Sequence, residues 1–208
     1  MPRMSLFRFG PARDPAHFVR GQGVYLRPAG MDDYPAWAEL RAASRDFLEP
    51  WEPTWPDDDL TRAAFRRRVR RHADEIARDE AAPFLIFREG DDALLGGLTI
   101  GQIRRGVAQA ATVGYWMGAR HAGRGYMSGA LRAGASYAFA TLRLHRLEAA
   151  CLPQNARSIA LLEGAGFRRE GMARAYLRIA GVWRDHVLFA LLDSDPVPPR
   201  RPKPANNA

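Results

Sequence analysis

The feature that most constrains the fold is a glycine-rich junction between a strand pattern and a helix pattern. Residues 111–118, "ATVGYWMG", read as a strand, and "ARHAGRGYM" follows with Gly123 and Gly125 on either side of Arg124. The residues after it keep one apolar helical face: Met127, Ala130, Leu131, Gly134, Tyr137 and Ala138. Glycines let a ligand approach the backbone, and the free N–H groups of a first helical turn favour an anion. The order strand, glycine loop and helix therefore predicts a phosphate cradle.

Spacing alone leaves a second interpretation of this junction open. The loop lacks the Gly-Lys-Ser/Thr ending of nucleotide triphosphatase loops, and it lacks the Rossmann fingerprint with its ribose-binding acid. A flexible turn would show the same glycines.

Hydrophobic periodicity predicts a mixed sheet flanked by helices, of the α+β (α/β mixed sheet) class. The order along the chain is strand, two helices, three strands, helix, strand, helix and two strands. Strands are expected near residues 23–30, 83–89, 93–103, 111–118 and 145–153, and a final hairpin near 172–192 turns at Ala180 and Gly181. Helices are expected over 31–48, around 60–76, from 126 and after Asn155.

Length and composition suit one domain in 208 residues, of which 47% are hydrophobic. We expect an N-terminal extension over 1–22, the domain over 23–193, and a proline-rich disordered tail over 194–208. No apolar run approaches the roughly 20 residues of a membrane span, and the N-terminus lacks the apolar centre of a signal peptide. The expected location is therefore cytoplasmic, without a membrane partner. A single cysteine, Cys151, excludes a disulfide framework and a cysteine metal cluster, and no metal is expected.

The net charge of +8 raises the question of a nucleic-acid partner. Lys203 is the only lysine, so arginine serves on every face of the protein. The densest run, Arg66 to His72, lies inside a helical pattern and carries no interleaved aromatic residues, which favours a solvated helix face over an RNA groove. Proximity to the ribosome or to RNA stays open as an alternative.

Several separated motifs together resemble a known family. "GYWMGARHAGRGYMSGAL" and "LPQNARSIALLEGAGFRREGMARAYLRIAGVWRDHVLFALL" are similar to the acetyl-CoA-binding core of the GNAT superfamily of N-acetyltransferases. "RDFLEPWEP", "RRG", "LHR" and "GVWRDHV" also fit its RimJ/RimL-like branch, and RimJ best, so that the resemblance covers about 24–192. It implies a splayed central sheet flanked by helices, acetyl-CoA as co-substrate, and acetylation of the N-terminal α-amino group of a ribosomal protein.

The family's pyrophosphate motif, Gln/Arg-x-x-Gly-x-Gly/Ala, fits this chain in two registers. Arg120, Gly123 and Gly125 satisfy it literally, whereas the family alignment puts Ala122 first, Gly125 fourth and Met127 last. We prefer the second register, which lacks the Gln/Arg side chain. The resemblance then implies that the backbone N–H groups of Gly123, Arg124, Gly125, Tyr126 and Met127 hold the pyrophosphate, with the side chains of Arg124 and Arg120 adding charge.

The same resemblance implies roles for residues on each side of the cradle. The strand segment 113–117 would splay from its neighbour and bind the pantetheine arm, with the N–H of Met117 polarising the thioester carbonyl. Asn155 would contact CoA and Ser158 would protonate the departing thiolate, although either would also suit a simple helix N-cap. Cys151 would lie near the CoA sulfur, but a buried thiol is the simpler interpretation, and no covalent acetyl-cysteine step is expected.

The expected chemistry is direct attack of a neutral amine on the thioester. An α-amino group, with a pKa of about 7.7 to 8.0, needs less help from a base than lysine does. Glu49 and Glu52 are the candidate bases, with Tyr176 and His186 as further options; surface or packing roles explain each equally well. Trp51 and Trp55 would form a wall of a peptide groove or a packed corner. The alternatives are a GNAT enzyme for a small-molecule amine and a basic RNA-associated protein without catalysis.

Overall fold

The computed structural model describes residues 18–196. Most of the predicted N-terminal extension and tail lie outside the described residues, so the domain boundaries stay predictions. The strands are β1 (Val19–Gly21), β2 (Val24–Arg27), β3 (Ala82–Arg88), β4 (Leu94–Arg104), β5 (Ala110–Met117), β6 (Arg146–Cys151), β7 (Arg168–Ile179) and β8 (Val182–Leu192). The helices are α1 (Tyr34–Ala42), α2 (Arg45–Leu48), α3 (Arg62–Ala77), α4 (Tyr126–Ala140) and α5 (Ala156–Gly164).

All eight strands form one mixed sheet in the order β1-β2-β3-β4-β5-β6-β8-β7. Every neighbouring pair is antiparallel except β5 and β6, which run parallel. A parallel pair needs a long crossover connection, and α4 provides it here. The prediction of a mixed sheet flanked by helices is confirmed.

The sheet opens at its single parallel pair. Pairing between β5 and β6 covers only Ala110–Thr112 against Arg146–Glu148. Beyond Thr112, β5 continues along β4 to Met117, while β6 continues along β8 to Cys151. We call the resulting gap between residues 113–117 and 149–151 the splay.

Helices cover the sheet on two faces. The α4 and α5 side holds the larger core, which includes Leu131 of α4, Leu162 of α5 and Val113 of β5. A smaller core packs Trp37 and Leu40 of α1 and Phe65 of α3 against β2, β3 and β4. Among the described residues, no helix is long and apolar enough to cross a membrane.

The structure differs from the sequence-based expectation in three places. A short strand, β1, precedes the first expected one and pairs with β2. The single helix expected over 31–48 is divided into a 3₁₀ turn, α1 and α2. The final hairpin begins at Arg168 rather than near residue 172. The N-cap of α3 is Thr61, whose Oγ1 accepts a hydrogen bond from the N–H of Ala64.

The acidic cluster before α3 pairs with the helix's own arginines. Asp58 binds Arg67 and Asp59 binds Arg68, so part of the positive charge of the arginine run is neutralised locally. The Asp58–Arg67 pair is exposed, as expected of a solvated helix face, whereas the Asp59–Arg68 pair is partly buried.

Candidate active site

The glycine loop forms an open row of backbone donors at the start of α4. Gly123 and Gly125 adopt φ values of 74° and 86°, in the left-handed region that favours glycine, and Gly125 is the N-cap of the helix. Within residues 18–196, no protein acceptor receives the N–H groups from Gly123 to Ser128; Gly129 is the first to bond, to the carbonyl of Gly125. A Cβ on Gly123 would meet nothing within 4 Å. Six consecutive free donors at a helix N-terminus suit a phosphate or pyrophosphate group.

The last residues of β5 expose backbone donors to the splay. The N–H of Gly118 donates to the carbonyl of Leu95 on β4 at 2.8 Å. Because N–H groups alternate sides along a strand, the N–H of Met117 lies on the opposite edge, where β6 has already diverged. This edge is where an extended ligand would add hydrogen bonds to β5.

Asn155 and Ser158 lie at the start of α5, beside the splay. Oδ1 of Asn155 accepts the N–H of Ser158 at 3.1 Å, which makes Asn155 the N-cap of this helix. That bond uses only the acceptor of the amide, so the Nδ2 donors of Asn155 are not consumed by it. The cap interpretation is therefore seen directly, and a CoA contact by Asn155 stays a prediction.

Ser158 lies near Tyr115 of β5. Tyr115 packs against the larger core on the α4 and α5 side of the sheet, and the Ser158 hydroxyl is close enough to influence the pKa of Tyr115. Burial raises the pKa of Tyr115 to about 12, so its hydroxyl stays protonated at neutral pH. The pair places two hydroxyl groups at the open end of the sheet.

Cys151 ends β6 on the same face of the sheet as Tyr115. Its thiol is buried, and burial raises its pKa to about 11. A thiol of this kind is protonated near neutral pH and is a poor nucleophile. The expectation that no covalent acetyl-cysteine forms stays a prediction.

The two arginines expected to add charge to the cradle differ in their surroundings. Arg120 pairs with Glu39 of α1 at 3.2 Å, and its Nε also donates to His121 at 3.2 Å. Arg124 is exposed between the two glycines, and no carboxylate within residues 18–196 pairs with it. Burial, together with Arg120, Arg88 and Arg124, lowers the pKa of His121, which indicates a positive local field. Arg124 is therefore better placed than Arg120 to meet a phosphate.

Residues 49–55, which we call the connector, are fixed by a buried arginine. Arg41 of α1 is 6% exposed and binds Glu52 through two hydrogen bonds of 2.8 Å. Its guanidinium lies over the rings of Trp55 and Trp116, 3.9 and 4.9 Å from their centroids. The indole N–H of Trp55 also donates to Glu52, at 2.7 Å. Three donors thus occupy the carboxylate of Glu52, an arrangement that positions the connector; its role as a base stays a prediction.

The tip of the β7–β8 hairpin contacts the connector. The N–H of Ala180 donates to the carbonyl of Glu52 at 3.0 Å. Further back on the hairpin, the ring of Tyr176 packs edge-on against buried His186, with centroids 5.8 Å apart. Glu49 is exposed and pairs with Arg45 at 3.2 Å.

The expected site residues therefore form two groups beside β5. The donors of the glycine loop and Ser158 lie on the α4 and α5 side of the sheet; the connector lies on the other side, where it contacts the tip of the hairpin. The strand joins them, because Tyr115 faces the first group and Trp116 faces the second. Sequence reasoning missed both Arg41 and the side chain of Tyr115. Arg41 lies outside the quoted motifs, and the motif "GYWMGARHAGRGYMSGAL" contains Tyr115 but gives its side chain no role, so only the fold brings the two residues to the site.

Metal chemistry finds no obvious ligand set in the described part of the chain. Residues 18–196 contain no group of three or more His, Cys, Asp or Glu side chains that could hold a metal ion.

Comparison with known proteins agrees with this geometry. Residues 24–168 match the family model described as an acetyltransferase (GNAT) domain. The probable N-acetyltransferase YjcK of Bacillus subtilis is 38% identical over 177 residues, covering 85% of this chain and 98% of that protein. The [ribosomal protein uS5]-alanine N-acetyltransferase of Escherichia coli is 35% identical over 172 residues, covering 82% and 89%.

A solved structure shows the same fold. Mycobacterium smegmatis RimJ in complex with CoA-disulfide superposes with a TM-score of 0.78 at 36% identity, covering 82% of each chain. The family model, which matches residues 24–168, spans strands β2 to β6 and includes the splay and the glycine loop. The chain belongs to the GNAT family of acetyltransferases.

Proposed function

We propose that this protein transfers the acetyl group of acetyl-CoA to the N-terminal α-amino group of a protein, and that the acceptor is a ribosomal protein. The observation that carries the cofactor half of this proposal is the row of free N–H groups from Gly123 to Ser128, next to the open edge of β5. A diphosphate fits the first feature, and an extended pantetheine arm fits the second.

The catalytic step needs few side chains. The neutral amine nitrogen attacks the thioester carbonyl carbon, the C–S bond breaks, and the amine gives up a proton while the thiolate gains one. The N–H of Met117 would donate to the developing oxyanion, a contact of a kind that contributes roughly 3 kcal/mol. Ser158 would return a proton to the sulfur; a thiol pKa of about 8.5 makes this help modest.

We assign removal of the proton from the amine to groups on the connector and the hairpin, which lie on the side of β5 that Trp116 faces; we call it the acceptor side. Glu49 is exposed and Glu52 is fixed by Arg41, so water-mediated transfer is the route that either carboxylate would use. Tyr176 and His186 line the same side on the hairpin. An α-amine is partly neutral at physiological pH, so a weak or distant base suffices.

The choice of a ribosomal protein as acceptor rests on the activities for which the relatives are named and on the surface that the connector and the hairpin form. The E. coli relative is named for alanine acetylation of ribosomal protein uS5, and the M. smegmatis structure is a RimJ. The connector and hairpin of this chain form a stiff aromatic rim with Trp51 exposed on it, a surface that suits a polypeptide.

An acetyl-transfer assay with a mixed panel of amines tests this function. The panel contains peptides with free N-termini, the same peptides with blocked N-termini, polyamines and aminoglycosides, and intact mass measures acetylation of each. We expect product only from peptides with free N-termini. Acetylation confined to small amines would show that the acceptor is a small molecule and not a peptide. If acetyl-CoA did not stabilise the protein in thermal melting, the proposal of an acetyl-CoA-dependent enzyme would be contradicted.

A further inference from the structure

The β7–β8 hairpin carries the largest set of exposed apolar side chains in the described chain. They are Met172, Tyr176, Leu177, Val182 and Trp183, and Trp51 of the connector adds to them. Trp183 alone is 62% exposed. β7 is also the last strand of the sheet, so its outer edge has no strand partner within residues 18–196. Exposed apolar groups on an open strand edge mark a binding surface.

The hairpin lies beside the open end of the splay, near Met117 and Cys151, which we call the mouth. Its root pairs with β6 through Val187 and Cys151, and its tip bonds to the connector through Ala180 and Glu52. On the other side of the mouth, Arg157 of α5 lies over the ring of Phe47 of α2. An amine that reaches the splay from this side therefore passes the hairpin, the connector and the start of α5.

Positive groups outnumber negative ones on the outer half of the hairpin. Between residues 172 and 186 the charged side chains are Arg174, Arg178, Arg184 and Asp185, and all four are exposed. Glu49 is paired with Arg45, Asp185 accepts the N–H of Ala175, and the Arg41–Glu52 pair is neutral as a unit. Within residues 18–196, no carboxylate pairs with Arg174 or Arg184.

Arg184 lies on the face of the hairpin that is turned to the connector. It is opposite Leu177, and alternation along β8 puts it on the same face as Val182 and His186. Ile179, opposite Val182 on that face, is buried beside the Ala180–Glu52 bond. Arg184 itself is exposed, so its guanidinium is available beside the path of an incoming acceptor.

We infer that the hairpin selects N-terminal segments that carry a carboxylate side chain within their first few residues, with Arg184 as the recognising group. The inference rests on the proposed function and narrows its substrate class. A guanidinium binds a carboxylate through paired hydrogen bonds, while the same charges repel polyamines and lysine-rich termini. Positive neighbours also lower the pKa of a bound ammonium, which favours the neutral, reactive amine.

Three peptides that differ only at positions two to four, where they carry Glu, Gln or Lys, test the inference. At low salt we expect kcat/KM to fall from Glu to Gln to Lys, by about fivefold per step for partly exposed charges. High salt should narrow the differences because it screens them. Arg184→Gln should bring the Glu and Gln peptides to equal kcat/KM, while Arg66→Gln on α3, an equal charge change away from the mouth, should keep the preference.

The possible results distinguish a failure of this inference from a failure of the proposed function. Equal kcat/KM for the three peptides, or a preference that survives in Arg184→Gln, would overturn charge selection and leave N-terminal acetylation intact. Acetylation of none of the peptides would overturn both. An unchanged KM for acetyl-CoA in Arg184→Gln shows that the variant is folded.

Discussion

Glu52 and Glu49 lie three residues apart in the connector and have opposite surroundings. Glu52 accepts three hydrogen bonds from Arg41 and Trp55, whereas Glu49 pairs with Arg45 in solvent. From the sequence the two carboxylates were equivalent candidates, because nothing in "FLEPWEP" indicates which one meets a buried arginine. The difference arises from Arg41, whose burial between two indole rings is a property of the folded chain.

Replacing these two glutamates should therefore affect stability very differently. Glu52→Gln leaves the buried guanidinium without its counter-charge, and we expect the free energy of unfolding to fall by about 3 kcal/mol. Glu49→Gln removes an exposed pair and should cost less than about 1 kcal/mol. Urea unfolding measures both. Equal losses would show that Arg41 does not depend on Glu52.

At the scale of elements, the sequence predicted the order of strands and helices well and the breaks within them poorly. The apolar face of α4 is confirmed: Ala130, Leu131, Gly134 and Ala138 are buried, and Met127 and Tyr137 pack against the same core. The division of the first helix at Ala43 and Ser44 was not predictable, because it depends on a tertiary contact. Ser44 is buried, and its hydroxyl accepts the N–H of Ala119 next to the glycine loop.

The cradle itself was visible in the sequence only as glycines. Spacing left a turn and a phosphate site equally open, and the structure adds the missing observation, a row of N–H groups that no protein acceptor receives within the described residues. The side-chain contacts of Tyr115 and Arg41 could not be read from periodicity, since both residues look like ordinary members of a strand and a helix.

Gly123 and Gly106 form a matched pair for testing the cradle. Both have positive φ, 74° and 64°, and a Cβ on either would meet nothing within 4 Å. Valine at either position should therefore cost similar stability through backbone strain. Only Gly123→Val would crowd a bound pyrophosphate, and we expect it to raise the KM for acetyl-CoA at least tenfold.

The comparison is made by steady-state kinetics with acetyl-CoA varied. Gly106→Val should keep the parent KM. A KM that is equally changed, or equally unchanged, in the two variants would place the pyrophosphate elsewhere.

At the scale of the whole molecule, the arginines differ in how far neighbouring carboxylates neutralise their charge. Along α3, Arg67, Arg68 and Arg71 each pair with a nearby acid, Asp58, Asp59 and Glu75 in turn, so part of the charge of the densest run is neutralised locally. Around the mouth of the splay the arginines of the hairpin lack such partners. The molecule thus combines an open sheet edge for the cofactor with a positive, aromatic rim for the acceptor.

The central claim, transfer to an α-amino group at the end of a polypeptide, is tested most directly with one peptide that contains both kinds of amine. The peptide has a free N-terminal alanine, a glutamate nearby and an internal lysine, and fragmentation mass spectrometry locates the acetyl group after partial turnover. We predict acetylation of the α-amino group, with the lysine unmodified. Acetyl groups on the lysine side chain, or on both amines at similar rates, would contradict the account.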